Sequence, residues 1–232
     1  MIAAAHSSIG GLVVIGCVVV AAIINAILKS NSRGQGQRMR DFWVLRDKLG
    51  FEDFNPGPDE EFARGWGFLD TLSQGTDRYA IHILRGTYKE EKLFVFDYRF
   101  QTGSGKSRQD HNCTMLMLVF KQVFPQLTIG PENFGLRIAE AVGLANDIKF
   151  ESGEFSRKFC VRSPDKKFAY DICNPQMIDY LLGNPALHIE IQGPCLLLSF
   201  EPQLPAAQIE FNLQRLAQIR ALMPDYLFTT TE

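Results

Sequence analysis

Neither sign of charge dominates this chain of 232 residues, which carries 24 Lys and Arg against 26 Asp and Glu. Because a formal net charge of −2 leaves no excess of positive charge for phosphates, the composition disfavours a nucleic-acid-binding protein. The five cysteines lack C-x-x-C spacing, which is typical of reduced thiols rather than of disulfides or a zinc site. With 46% hydrophobic residues, the sequence is neither disordered nor collagen-like.

The N-terminal part contains one long hydrophobic run. Residues Ile9–Leu28 include no charged side chain and one strongly polar residue, Asn25. At 1.5 Å per residue a helix of this length covers roughly 30 Å, the hydrocarbon thickness of a bilayer. A cleaved signal peptide is the alternative, but no Lys or Arg precedes the run and no A-x-A pattern follows it. The run therefore predicts a transmembrane helix that inserts into the lipid bilayer.

The flanking charges predict the orientation of this helix. Lys29, Arg33, Arg38 and Arg40 follow the run, whereas no basic side chain precedes it. Positive residues remain on the cytoplasmic side, so we expect an inner (cytoplasmic) membrane protein. Its N-terminus would lie outside and its main domain would be cytoplasmic.

The remaining residues separate into a basic linker and a larger domain. The boundaries are 1–29 for the N-terminal segment and span, 30–58 for the juxtamembrane linker, and 59–232 for the cytoplasmic domain. Within the linker, Met39, Phe42, Trp43 and Leu49 have helical spacing before Gly50, which predicts a short amphipathic helix. Arg38 and Arg40 belong to a basic stretch that could bind acidic lipid headgroups. Alternatively, these residues only enforce topology and solvate the helix.

Beyond Pro58 the pattern changes to the period of two that is typical of strands. Residues 92–101 alternate most clearly, with Phe94, Phe96, Tyr98 and Phe100 on one side. Such a stripe could be a stacking platform, but we expect core residues. Further strands are predicted at 79–86, 113–121 and 127–130, with 113–121 central because it is apolar on both faces. A helix opened by Pro131 and ended by Gly143 would follow.

The C-terminal part repeats this order of strands and helices. Strands at 158–162 and 168–173 would form a hairpin around residues 163–167, and Asn174, Pro175 and Gly183 bracket a short helix. A strand at 187–192 would place Ile189 inward and His188 and Glu190 outward. A strand at 195–201 and a helix from Pro205 complete the chain. The fold class is therefore α+β with a mainly antiparallel sheet, and residues 78–143 and 155–223 are hypothesised to be two similar β4-α halves.

No motif for catalysis or cofactor binding is complete. Residues 102–107 (TGSGKS) resemble the end of a P-loop, but the preceding glycine is missing and a strand follows instead of a helix. Asp110, His111 and Cys113 are too few for a closed zinc site. Asp97 and Arg99 share a strand face and could pair with each other. We therefore predict no catalytic residue, no metal or other cofactor, and no nucleotide or nucleic-acid partner.

A second basic cluster lies on the predicted hairpin. Its members, which together with Arg38 and Arg40 are the candidate binding residues, are Arg157, Lys158, Arg162, Lys166 and Lys167. A hairpin facing the bilayer could bind acidic lipid or an acidic partner with these side chains. A merely solvated hairpin is the alternative.

The sequence resembles a bacterial family of uncharacterised single-pass membrane proteins. The resemblance lies in residues 96–98 (FDY), 104–106 (SGK), 154–159 (EFSRKF) and 165–171 (DKKFAYD). It implies a bacterial source and an anchored cytoplasmic α+β domain, but no activity. We therefore expect a membrane-anchored interaction module that binds a protein partner or acidic lipid headgroups. The alternatives are a structural subunit of a larger membrane complex and a hydrolase whose site is assembled in space.

Overall fold

The computed structural model describes residues 34–131 and 147–229. Helix α1 occupies residues 34–49, as the spacing of its apolar residues predicts. The further helices are α2 (Glu60–Gly65), α3 (Asp70–Ser73), α4 (Phe155–Lys158), α5 (Lys166–Ile172), α6 (Pro175–Leu182) and α7 (Ile209–Leu222). The strands are β1 (Asp53–Asn55), β2 (Thr76–Tyr88), β3 (Glu91–Thr102), β4 (Gln109–Pro131), β5 (Phe159–Arg162) and β6 (His188–Phe200).

The six strands form one antiparallel sheet in the order β1-β2-β3-β4-β5, and β6 also pairs with β4. Strand β4 is 23 residues long and holds the sheet together. Its first part, Thr114–Val119, lies between β3 and β6. Its last part, Thr128–Ile129, pairs with both β5 and β6. The prediction of a central strand that is buried on both faces is confirmed.

The aromatic stripe of β3 belongs to the core, as expected. Phe96, Tyr98 and Phe100 pack with Met115 and Met117 of β4 under helices α2 and α3. The Tyr98 hydroxyl donates to the Leu72 carbonyl over 2.7 Å, which satisfies the polar end of a fully buried ring. The stripe therefore holds α3 on the sheet.

The predicted fold class is corrected on two points. No helix within 34–131 or 147–229 is both long and apolar enough to cross a membrane. For example, α7 has 14 residues and includes Arg215 and Arg220. The predicted span Ile9–Leu28 lies outside the described residues, as does most of the helix predicted between Pro131 and Gly143. Residues 155–223 also contain two strands, β5 and β6, instead of the four predicted, so the hypothesis of two similar β4-α halves is wrong.

The predicted hairpin of the C-terminal part is also wrong. Residues Lys166–Ile172 form helix α5 instead of a strand, because the Asp165 side chain caps the helix by accepting from the Phe168 amide over 3.0 Å. Phe168, Ala169 and Ile172 form its buried face. By contrast, α6 follows its prediction, since Asn174 caps it over 3.0 Å and Gly183 ends it.

Candidate functional site

Helix α1 exposes an apolar surface between residues 39 and 44. Met39 is 38% exposed, Trp43 43% and Val44 66%, whereas Phe42 is fully buried. Met39 and Trp43 lie one turn apart and therefore share a side of the helix. We call Met39, Trp43 and Val44 with the neighbouring Arg40 the α1 surface. The predicted amphipathic helix thus has both buried and exposed apolar side chains.

The two candidate arginines of α1 lie in different surroundings. The Arg38 guanidinium is 4.8 Å from the centre of the Phe42 ring. The Arg40 side chain is exposed and donates to Gln37 Oε1 over 2.7 Å. Because this amide is neutral, the bond leaves the positive charge of Arg40 in place. Arg40 is therefore the arginine that the α1 surface presents beside Trp43.

The five candidate residues of the C-terminal part lie on three elements instead of one hairpin. Arg157 and Lys158 end α4, whereas Lys166 and Lys167 begin α5. Strand β5 lies between these two pairs of residues in the chain. Arg162, half-buried, ends this strand. The predicted hairpin that would carry all five residues is therefore replaced by two helices and a strand.

Two of these lysines are engaged in ion pairs on their own helices. Lys158 contacts Glu154 over 2.7 Å, and Lys167 contacts Asp171 over 2.9 Å. The hydrogen bond from Lys158 lowers the pKa of Glu154, and the hydrogen bond to Asp171 raises the pKa of Lys167. Both pairs span one helical turn, which is the usual arrangement of a solvated helix surface. These contacts favour the alternative that the second cluster only solvates its helices.

His82 and Asp97 meet in the sheet, but the pair is buried. His82 Nδ1 is 2.9 Å from Asp97 Oδ2, and the Thr114 hydroxyl donates to Asp97 Oδ1 over 3.1 Å. The Leu204 amide in turn donates to the Thr114 hydroxyl over 3.1 Å. At most 3% of each of these three polar residues is exposed. Arg99, which was predicted to pair with Asp97, donates to the Tyr79 hydroxyl over 3.4 Å.

A second buried acid joins α3 to β6. The Glu190 carboxylate accepts the backbone amides of Asp70 over 2.5 Å and Thr71 over 3.0 Å. Burial raises the pKa of Glu190 to about 7. Gln126 donates to Asp70, whose pKa burial also raises. The prediction that Glu190 and His188 point outward is wrong, because both side chains are buried and α3 covers Glu190.

The described cysteines are poor nucleophiles. Burial raises the pKa of Cys113, Cys173 and Cys195 to about 12 and that of Cys160 to about 11. All four are free and buried. Because the thiolate is the reactive form, thiols with such pKa values scarcely react at neutral pH. Among the described residues, no group of three or more His, Cys, Asp or Glu could hold a metal ion.

Comparisons with known proteins identify a solved structure with a similar fold. No protein-family model matches the chain, and no curated protein matches it significantly. The chain is similar to the crystal structure of the mycobacterial trehalose monomycolate transport factor A, TtfA, with a TM-score of 0.58 and 16% sequence identity. The match covers 86% of this chain and 99% of the other. At this identity the likeness establishes a shared fold alone.

Proposed function

We propose that this chain is a membrane-associated, transport-related factor that works by binding rather than by catalysis. Three observations support the proposal. Its fold is shared with a transport factor. The His82–Asp97 pair and the described cysteines are buried, where no substrate reaches them. The α1 surface is exposed and combines apolar with basic side chains.

The α1 surface carries the proposal. Trp43 and Met39 form an exposed apolar stripe, and Arg40 lies next to it on the helix. A helix with Trp on its apolar side and basic residues beside it binds in the interface of a bilayer, where the indole ring sits among the headgroups. Anionic lipids add roughly 1 kcal/mol of attraction for each basic residue near the surface. The surface therefore fits acidic lipid headgroups.

The charge distribution along the sequence supports the same partner. Six basic and two acidic residues lie between Lys29 and Lys48, although the whole chain has a formal net charge of −2. The remaining chain is therefore acidic and is repelled by an anionic bilayer, whereas the basic stretch is attracted to it. Because anionic lipids concentrate in the cytoplasmic leaflet, the proposed location is the cytoplasmic side of the membrane.

The fluorescence of Trp43 tests this proposal. In the full chain with Trp66→Phe, Trp43 is the single tryptophan. We expect its emission to shift to the blue when vesicles of phosphatidylcholine are replaced by vesicles that also contain phosphatidylglycerol. Phosphatidylglycerol brominated near the start of its acyl chains should quench it, because the ring would lie at the boundary of headgroups and acyl chains. Arg40→Glu should reduce both effects, and added salt should do the same.

Phe211 provides the matched control. It is an aromatic side chain of α7 that is 55% exposed and has the guanidinium of Arg215 at 4.6 Å. A chain with Phe211→Trp, Trp43→Phe and Trp66→Phe reports on this second aromatic–basic surface, which we expect to remain in water. Equal emission of Trp43 in neutral and anionic vesicles would contradict the proposal, as would equal quenching of both reporters. The emission of each tryptophan depends on the depth of its own ring in the bilayer. It does not depend on which other segment attaches the chain to the vesicle.

A further inference from the structure

A groove runs between the β2–β3 hairpin and helix α7, and its two halves differ in character. The apolar half has a volume of about 320 Å³, at the lower end of the range for small-molecule sites. Its apolar lining consists mainly of Leu49, Phe51, Leu93, Leu118, Leu213 and Leu216. The polar half, of about 300 Å³, contains Lys89, Glu91, Arg220 and Asp225. Tyr88 and Ala217 line both halves, so the two adjoin there.

Two of the polar side chains that line the apolar half are already paired, and a third, Gln214, is exposed on α7. Glu210 contacts Lys48, and the Thr87 hydroxyl donates to Glu52 Oε1 over 3.0 Å. A peptide in this half would bury its backbone amide groups away from water. These side chains would not replace the hydrogen bonds that the amides lose, so peptide binding would be unfavourable. A hydrocarbon chain has no such groups. The lining therefore favours an alkyl chain over a peptide segment.

The polar half balances its charges. Lys89 and Arg220 are basic, and Glu91 and Asp225 are acidic. Arg220 is held in place, because its Nε donates to Glu91 Oε1 over 2.9 Å and its guanidinium stacks 3.4 Å from the centre of the Phe228 ring. Such a set offers donors and acceptors without net charge. It therefore matches a polar headgroup that is itself uncharged.

The turn between β2 and β3 brings Lys89 to this half. Lys89 has φ 48° and Glu90 has φ 70°, a left-handed pair that Asn and Gly adopt more readily. Backbone strain of this kind persists where the surrounding structure holds it and often accompanies a binding site. The Lys89 ammonium group lies 5.5 Å from the centre of the Tyr88 ring, beside the junction of the two halves.

We infer that this groove binds a single-chain amphiphile with an uncharged headgroup. The alkyl chain lies in the apolar half and passes Tyr88 and Ala217. The headgroup lies between Lys89, Glu91 and Asp225. The inference deepens the proposed transport-related function by naming the class of ligand that such a factor would hold. It depends on the groove and not on the α1 surface.

Photolabelling of the full chain tests the inference. The probe is dodecyl maltoside with a diazirine at the end of its alkyl chain, used below the concentration at which it forms micelles. We expect labelled peptides to contain Leu93 or Leu213. Dodecyl maltoside should compete better than octyl maltoside by up to about fourfold per methylene, since each buried methylene adds to binding. Maltose alone should not compete.

Two neighbouring positions of α7 give the matched variants. Ala217→Phe places a ring at the junction of the halves and should reduce labelling roughly tenfold or more, because overpacking excludes the ligand. Gln218→Phe adds the same ring on the exposed side of α7 and should label like the parent chain. Circular dichroism and thermal unfolding of both variants confirm that they fold.

Labelling outside the groove, independence of chain length, or equal labelling of both variants would overturn the inference. The two proposals fail separately. Ala217→Phe should leave the vesicle-dependent emission of Trp43 unchanged, and Arg40→Glu should leave photolabelling unchanged. Loss of only one signal therefore identifies which proposal is wrong.

Discussion

Glu190 is a buried acid that no ion pair with a basic side chain stabilises in the described structure. Two backbone amides of α3 donate to its carboxylate, and these bonds lower its pKa. Desolvation raises the pKa by more, so the balance is a pKa of about 7. The neighbouring Asp70 raises it further. We therefore expect the docking of α3 on β6 to depend on pH.

We predict that Glu190 makes the protein less stable as the pH rises from about 4.5 to about 7. The folded pKa lies above the ordinary value of 4.5, so the folded state binds the proton more tightly than the unfolded chain in this range. The loss attributable to this group is at most about 3 kcal/mol. Glu190→Gln removes the titration and should flatten the pH dependence of the unfolding free energy, measured with denaturant. An unchanged slope would contradict the assignment.

His188 serves as a control of opposite sign. Burial lowers its pKa to about 3, and its Nδ1 lies 2.5 Å from the Ser199 hydroxyl. Because the unfolded chain binds the proton more tightly, this group costs stability as the pH falls from about 6.5 to about 3. His188→Asn should therefore reduce the loss of stability in acid, whereas Glu190→Gln should not.

At the scale of elements, local signals succeeded where the chain itself supplies the hydrogen-bond partners. Asn174 caps α6 and Gly183 ends it, as the sequence predicts. The same type of signal was missed at Asp165, whose cap begins α5. Helices α2 and α3 were also missed, since four to six residues are too few for a clear period. Short elements are stabilised mainly by what they pack against.

Gly75 connects α3 to β2 and leads to a second prediction. Both Gly75 and Gly105 have a left-handed backbone, with φ 66° and 55°. A Cβ on Gly75 would lie 2.2 Å from the Gln101 carbonyl oxygen, whereas a Cβ on Gly105 meets nothing within 4 Å. Gly75→Ala should therefore lose about 1 to 3 kcal/mol more stability than Gly105→Ala, since the strain of φ is common to both.

Denaturant unfolding of the two alanine variants measures this difference. Gly105→Ala is the matched control, because it carries the backbone strain without the steric contact. If the two variants have equal unfolding midpoints and equal m-values, the contact with Gln101 does not constrain this junction.

At the scale of the whole molecule, β4 holds the sheet together. Its residues Thr114–Leu118 are at most 1% exposed and have strand partners on both sides. By contrast, β1 has three residues and pairs with β2 alone. Opening the middle of the sheet requires the loss of both ladders and of the packing on both faces.

We therefore predict that the amides of Thr114–Leu118 are among the slowest to exchange with deuterium. Those of β1 should exchange faster, because opening an edge strand breaks fewer contacts. Hydrogen exchange followed by mass spectrometry measures both segments in one sample. Equal protection of β1 and of this part of β4 would contradict the assigned role of β4.

Much of the sheet was predictable because side chains two residues apart point to the same face of a strand. The aromatic stripe of β3 follows from that period, whereas the central position of β4 follows from apolar residues on both of its faces. The candidate site was less predictable. The sequence predicted Arg40 as a binding residue and Trp43 only as part of an amphipathic helix. It also placed Arg157 and Lys167 on one hairpin that the structure divides between two helices. The groove joins distant residues such as Leu49, Leu93 and Leu213, and no local pattern connects them.

The sequence by itself determined the antiparallel α+β character, the core stripe of β3 and the caps of α6, since these depend on alternation and on hydrogen bonds between near neighbours. The tertiary structure alone decided that β5 and β6 extend one sheet and that Glu190 and His188 are buried. It also decided which stripe of α1 is exposed and that α7 and the β2–β3 hairpin enclose a groove. The physical reason is that the burial of a residue depends on which distant part of the chain packs over it. Alternation in the sequence shows only that the two faces of a strand differ in polarity.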